Sequence, residues 1–252
     1  MKRSAAIIRQ VNVQLGIIGG TGVGDRLALL GDKAIHVPTS HGLLKGTLAE
    51  IDGQTILLIA RHSLGHKTPP SQVNYLAMAE GLKRLGAKHC LATAAVGGLT
   101  DVLSPGSFCV CTDFIDLTGR NETLFANTVR HTDFSIPMGG KSREALTASC
   151  KAASLEIPGH ATYVCTNGPR YETPAEVSSY AGMGGHVVGM TAASEAIAMH
   201  EAGIDYGCLA IVTNFGSGIC PTPLAHEDVT AQMIKSGETA VRILLDAARR
   251  LA

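Results

Sequence analysis

An α/β fold, a single domain built on a mixed, largely parallel sheet flanked by helices, is predicted from three observations. Short, almost wholly apolar runs recur along the chain, segments with helical spacing fall between them, and glycines punctuate the junctions. Strands buried on both faces read as continuous apolar runs, and crossover helices between them imply parallel neighbours.

The elements follow in order. Residues 13–18 form an apolar run ending in Gly19-Gly20-Thr21-Gly22, a strand entering a glycine loop. Residues 46–51 and 55–60 flank Asp52-Gly53, a dipeptide that favours a tight hairpin turn. Residues 73–85 have helical spacing and stop at Gly86, a natural C-terminal cap. Buried strands are expected at 89–96, ending at Gly97-Gly98, and at 108–115, followed by a helix over 141–155. Further strands at 163–165, 187–188 and 208–213 are separated by helices near 173–180 and 194–202, and an amphipathic helix closes the chain over 226–251. The polar, irregular stretch 119–135 reads as a surface or interface loop. One domain over 1–252 is the economical division, with residues 1–14 an extra N-terminal segment.

Composition excludes several classes. The formal net charge is +0, so no basic footprint for nucleic acid or anionic lipid is present. Tryptophan is absent and aromatics are scarce, which argues against stacking platforms for single strands. The cysteines are odd in number and form no CxxC pair, so neither a zinc site nor a thioredoxin-type motif is expected. The apolar part of the first ten residues is too short for a signal peptide, and no run reaches membrane-spanning length. These features predict a reduced, soluble, cytoplasmic protein with no metal, nucleic-acid or membrane partner.

The most informative stretch is Gly168-Pro169-Arg170-Tyr171-Glu172-Thr173-Pro174-Ala175-Glu176. It places a rigid turn, an aromatic ring and a carboxylate at a strand end, with a helix starting at Thr173-Pro174. An aromatic face beside a carboxylate suits a flat heterocycle carrying an N–H donor, such as a purine. The loop Gly19–Gly24 can present backbone N–H groups and the Thr21 hydroxyl to an anion. It is no P-loop, and Asp25 stands where a dinucleotide fingerprint needs its third glycine. Arg61-His62 leaves the strand 55–60, offering a forked guanidinium and an imidazole donor to phosphate; a surface arginine beside a loop histidine is the plainer alternative. A metal site through His62 and His66 lacks the accompanying carboxylate. Gly189-Met190-Thr191 and Thr213-Asn214 end two more strands. Thr191 is either a helix N-cap or a ligand, and Asn214 either a turn former or a ligand. With Glu172 they would converge on one rim, the usual place for an α/β ligand site.

The segments 16–22, Arg61-His62, Gln72-Val73-Asn74-Tyr75, Gly168-Pro169-Arg170, Met190-Thr191 and Glu195 together resemble the methylthioadenosine phosphorylase and purine nucleoside phosphorylase family, in order and over nearly the whole chain from Leu15. The resemblance implies a nucleoside phosphorylase-like fold, a homotrimer or dimer of trimers, and phosphorolysis of a purine nucleoside, with inorganic phosphate as co-substrate and no cofactor or metal. It implies phosphate binding by Thr21, Arg61, His62 and Thr191, assisted by the Ala94 and Ala95 backbone. Met190 would lie along the ribose, Tyr171 against base and sugar, and His226 at the ribose 5′-hydroxyl. Phe125 would reach a neighbouring subunit's sugar pocket.

Methylthioadenosine-specific members typically carry Ser in place of Glu172, Asp in place of Asn214 and a second Asp where Gly216 stands. This chain resembles the 6-oxopurine-specific members instead. The Asn214 amide can donate to O6 while its carbonyl accepts from a protonated N7. Glu172 can accept from N1–H of hypoxanthine or guanine, whereas adenine offers a lone pair there. A mismatched, desolvated polar pair costs roughly 1–3 kcal/mol, about ten- to a hundred-fold in discrimination. The expected reaction is therefore release of the base from inosine or guanosine as ribose 1-phosphate forms, with Asn214, Glu172 and His62 as the catalytic set. The alternatives are an S-methyl-5′-thioinosine or S-methyl-5′-thioadenosine phosphorylase and, from another class, a nucleotide-binding module without catalysis. The loop Gly216-Ser217-Gly218 replaces the family's acidic segment, and its role is open.

Overall fold

The computed structural model describes residues 11–220 and 226–252, without the His226 side chain. Side chains alternate between faces along each central strand, as the pleat requires. In β1 (Leu15–Gly19), Leu15 and Ile17 join one apolar cluster and Ile18 joins the other. The same division separates Leu57 and Ile59 from Ile56 and Leu58 in β4 (Gln54–Ala60), and Cys208, Ala210 and Val212 from Leu209 and Ile211 in β10 (Asp205–Phe215). Each face is covered by helices. One cluster is completed by α2 (Tyr75–Leu85) and α5 (Ala192–Ala202), the other by α1 (Gly24–Ala28), α3 (Lys141–Ala152) and α6 (His226–Arg250).

With β2 (Lys33–Thr39), β3 (Gly42–Ile51), β5 (His89–Gly98), β7 (Asp113–Asp116), β8 (Thr162–Cys165) and β9 (Val187–Gly189), the strand order is β2-β3-β4-β1-β5-β9-β8-β7. Strand β10 branches from β5 and carries β6 (Phe108–Val110). The central pairs β4–β1–β5 and β5–β10, and the outer run β9–β8–β7, are parallel; the β2–β3–β4 meander and the β5–β9 and β10–β6 joins are antiparallel. The expected mixed α/β sheet is therefore present.

Local chemistry explains the boundaries. Asp52 and Gly53 both take positive φ, which fixes the β3–β4 turn. Helix α2 starts where the Asn74 side chain accepts from Ala77 N–H and stops at left-handed Gly86. In α4 (Pro174–Gly182), Thr173 and Glu176 form a reciprocal capping box. Two expectations need correction. Residues 108–115 are not one strand: the Cys111 N–H donates to Cys208 and the Thr112 N–H to Ala161, so the chain leaves β10 and joins β8 as β7. The edge strand β2 and the five-residue α1 were not foreseen, because β2 is mostly exposed and lacks an apolar face. Residues 119–135 carry no helix or strand, as expected. Most of the segment 1–14 lies outside the described residues. Among those described, no helix is long and apolar enough to cross a membrane and no cluster could hold a metal ion.

Candidate active site

The site arises where the sheet splits. On one edge of β5, β1 pairs with residues 89–92 and β9 pairs with Gly97 and Gly98. Strand β10 occupies the opposite edge throughout. Residues 93–96 thus lie in a gap between two diverging neighbours, the geometry that opens ligand crevices in α/β sheets. Ala95, Val96 and Gly97 form one wall of a cavity of about 280 Å³ there.

Thr21, Arg61, His62, His66 and Thr191 line one part of it. Arg61 leaves β4 with its backbone N–H on the Gly19 carbonyl. Its side chain is 1 % exposed and bonds in two-point fashion to fully buried Glu195, at 2.5 and 2.8 Å. It also donates to the Thr93 carbonyl at 2.8 Å, while Tyr206 donates its hydroxyl to Glu195 at 2.7 Å. Burial opposes the arginine charge, but Glu195 more than offsets it and the net pKa is raised. One N–H on each terminal guanidinium nitrogen remains for an anion. The glycine loop serves this arrangement by yielding space. A Cβ on Gly20 would come within 2.5 Å of the Arg61 side chain and 2.8 Å of the Thr93 carbonyl, and the Gly20 N–H donates to the Thr93 hydroxyl. That N–H is therefore not an anion donor.

His62 corrects a further expectation, that its imidazole donates to phosphate. Its Nδ1 lies 2.8 Å from the Thr68 carbonyl, so that nitrogen carries the proton and donates to Thr68. Burial first, then the Arg61 charge, lower its pKa to about 4. The ring is neutral near pH 7 and its donor is already engaged. Thr191 precedes α5 but makes no side-chain cap bond, so the cap alternative falls away and its hydroxyl stays available. Its backbone N–H donates to the Tyr163 hydroxyl.

Tyr171, Glu172, Met190 and Asn214 line the remainder with Pro169, Thr213 and Val229. Glu172 accepts from the Thr166 hydroxyl at 2.8 Å, and the Thr166 N–H is fixed on the Gly189 carbonyl. Burial, then the neighbouring Glu172 and Glu227 charges, raise the Tyr171 pKa, so the phenol stays protonated. Asn214 follows a register break at Thr213 in β10; its amide donates to the Phe215 carbonyl and its oxygen sits 2.8 Å from the Thr213 hydroxyl. The bulge re-aims the side chain into the cavity. Met190 packs where Gly168, at φ +63, allows it: a Cβ there would meet its sulfur at 2.3 Å.

Of the residues picked from sequence, Thr21, Arg61, His62, Ala95, Tyr171, Glu172, Met190, Thr191 and Asn214 share this cavity. Ala94, expected to assist through its backbone, is not among the residues that line it, and its side chain joins the apolar core. Phe125, expected to act on a neighbouring copy, lies outside its own chain's cavity beneath the Arg130 guanidinium. The His226 side chain lies outside the described residues. Sequence reasoning missed Thr166, Val229 and Arg120, and it considered His66 only as a metal ligand. Arg120 sits in the irregular loop yet donates to the Met190 carbonyl, the Ser194 hydroxyl and both oxygens of Asn167. Nothing in its local sequence distinguishes it from a solvated arginine.

The chain is similar to known proteins over nearly its whole length. A probable 6-oxopurine nucleoside phosphorylase of Dictyoglomus turgidum is 39% identical over 230 residues, covering 90% of this chain and 87% of that protein. A probable S-methyl-5′-thioinosine phosphorylase of Methanothermobacter thermautotrophicus is 37% identical over 240 residues, covering 94% and 83%. The structure of methylthioadenosine phosphorylase from Schistosoma mansoni in complex with adenine superposes with a TM-score of 0.88 at 30% identity, covering 94% of this chain and 91% of that one. The profile of the Phosphorylase superfamily matches residues 14–249, and with these relatives it establishes that the chain belongs to that family, among its purine nucleoside-cleaving enzymes.

Proposed function

We propose that the protein phosphorolyses 6-oxopurine nucleosides, inosine and guanosine, to the free base and ribose 1-phosphate. The observation that carries this reading is the presence of Glu172 and Asn214 on the wall of the cavity that also holds Arg61, His62, Thr21 and Thr191. Phosphate bound among the latter attacks the anomeric carbon, and the bond to the purine breaks as positive charge develops on the sugar. The bound anion supports that charge at close range. The Asn214 carbonyl accepts a hydrogen bond from protonated N7, and its amide donates to O6 of the departing base. Glu172, oriented by Thr166, accepts from N1–H. No cofactor or metal takes part in this scheme.

The runner-up is a 5′-methylthio substrate, because Val229 and Pro70 give the cavity an apolar wall. A single panel separates the two: phosphate-dependent base release from inosine, guanosine, adenosine, methylthioinosine and methylthioadenosine. Inosine and guanosine are expected to lead; preference for a methylthio compound would replace the main reading. A role in purine salvage in the cytoplasm, and a homotrimer or dimer of trimers in which Phe125 closes a neighbour's pocket, complete the proposal. Sedimentation as a monomer with full activity would remove the oligomer and Phe125 from it.

A further inference from the structure

We propose that His62 makes the site selective for oxyanions that carry a proton: its Nδ1 is committed to the Thr68 carbonyl, so the Nε2 left to the cavity is a lone pair that accepts the O–H of hydrogen phosphate. This rests on the phosphorolysis reading of the cavity.

The geometry fixes the tautomer. Thr68 offers a carbonyl, which can only accept, at 2.8 Å from Nδ1. A neutral imidazole with a donating Nδ1 has an accepting Nε2. No described residue donates to Nε2, and the ring lines the cavity. Arg61 and His66 are the charged and titratable neighbours that act on it. Burial first, then the Arg61 charge and His66, disfavour a second proton and lower the ring's pKa to about 4. The His66 ring centroid lies 4.7 Å away, and Tyr171 and Glu172 line other parts of the same cavity.

Hydrogen phosphate and hydrogen arsenate keep one O–H at neutral and mildly alkaline pH. Either donates that hydrogen to Nε2 while its charged oxygens face Arg61, Thr21 and Thr191. Sulfate has the same shape and charge but no hydrogen. It meets the Nε2 lone pair with an oxygen lone pair and binds well only when a proton from solvent enters the ring. Sulfate binding is therefore coupled to proton uptake at His62, and phosphate binding is not.

The test is calorimetric titration of the intact protein with phosphate and with sulfate, at fixed ionic strength, in buffers of different ionisation enthalpy. Between about pH 5 and about pH 6.5, above the value near 4 of the free ring, sulfate affinity is expected to fall by up to roughly tenfold per pH unit with uptake of up to about one proton per site, while phosphate, which keeps an O–H throughout, does not lose affinity. His62→Asn presents an amide N–H and is expected to flatten the sulfate profile; His66→Gln is expected to keep it. A flat sulfate profile in the native protein, or one abolished by His66→Gln and kept by His62→Asn, overturns the inference and leaves phosphorolysis standing. Failure of both anions to bind overturns the inference together with the phosphorylase reading.

Discussion

Specificity for the base resides in two side chains and the hydroxyls that aim them. The Glu172 carboxylate is acceptor-only, so it matches a lactam N–H and opposes the N1 lone pair of adenine. Glu172→Gln is expected to lower kcat/KM for inosine by about ten- to a hundred-fold and to narrow its lead over adenosine. Asn214→Asp is expected to shift the balance further toward adenine nucleosides. Inosine preference unchanged in both variants would show that the base is read elsewhere. The anion end has a different dependence. Glu195 touches no substrate in the proposed scheme but holds the Arg61 fork from beneath. Glu195→Gln is expected to raise KM for phosphate while KM for inosine changes little, and Glu195→Ala to lose about 3–5 kcal/mol of stability by leaving the Arg61 charge buried without its partner. Steady-state kinetics varying each substrate and urea unfolding separate these effects. Glu195 was visible in the sequence only as part of a resemblance. That an acid inside an alanine-rich helix bonds a strand-end arginine, 134 positions away, is a matter of which helix packs on which strand.

The elements carry the site by where they end. Strand β8 runs into the turn that presents Tyr171 and Glu172, and α4 starts directly after it with its capping box. Thr173→Ala removes that cap and is expected to cost about 1 kcal/mol, read as a lower melting temperature, with a modest loss of inosine turnover from a looser Glu172. An unchanged melting temperature would mean that Pro174 and the Arg170–Glu176 ion pair hold the helix start by themselves. Strand ends and caps of this kind were legible from composition and spacing, since Gly86, Asp52-Gly53 and Thr173-Pro174 act through local chemistry. The break of 108–115 into β6 and β7 was not. Both halves are short and unlike in burial, and each pairs with a strand distant in sequence.

At the scale of the whole molecule, pH dependence divides into two windows. The folded pKa of His62 lies near 4, below the ordinary value of 6.5, so the unfolded chain binds more protons between them. Its contribution is complete above about pH 6.5 and is lost as pH falls toward 4. Burial alone would raise the Glu80 pKa, but hydrogen bonds from Ser40 and His41 and the Arg84 pair lower it to about 2, so its contribution is lost only below about 4.5. Urea midpoints are expected to decline between about pH 6.5 and about pH 4 in the native protein and less steeply in His62→Asn; parallel curves would exclude His62 as the cause. The sequence alone determined the layered α/β plan, the hairpin, the helix caps and the residue types at three strand ends. These follow from periodicity and turn chemistry, which act over a few positions. Only the tertiary structure decided that β1 and β9 part along one edge of β5, that Arg61 rests on Glu195, and that His62 gives its proton to Thr68. Those depend on which distant segments become neighbours and how burial then shifts charge and tautomer, and no local pattern encodes that.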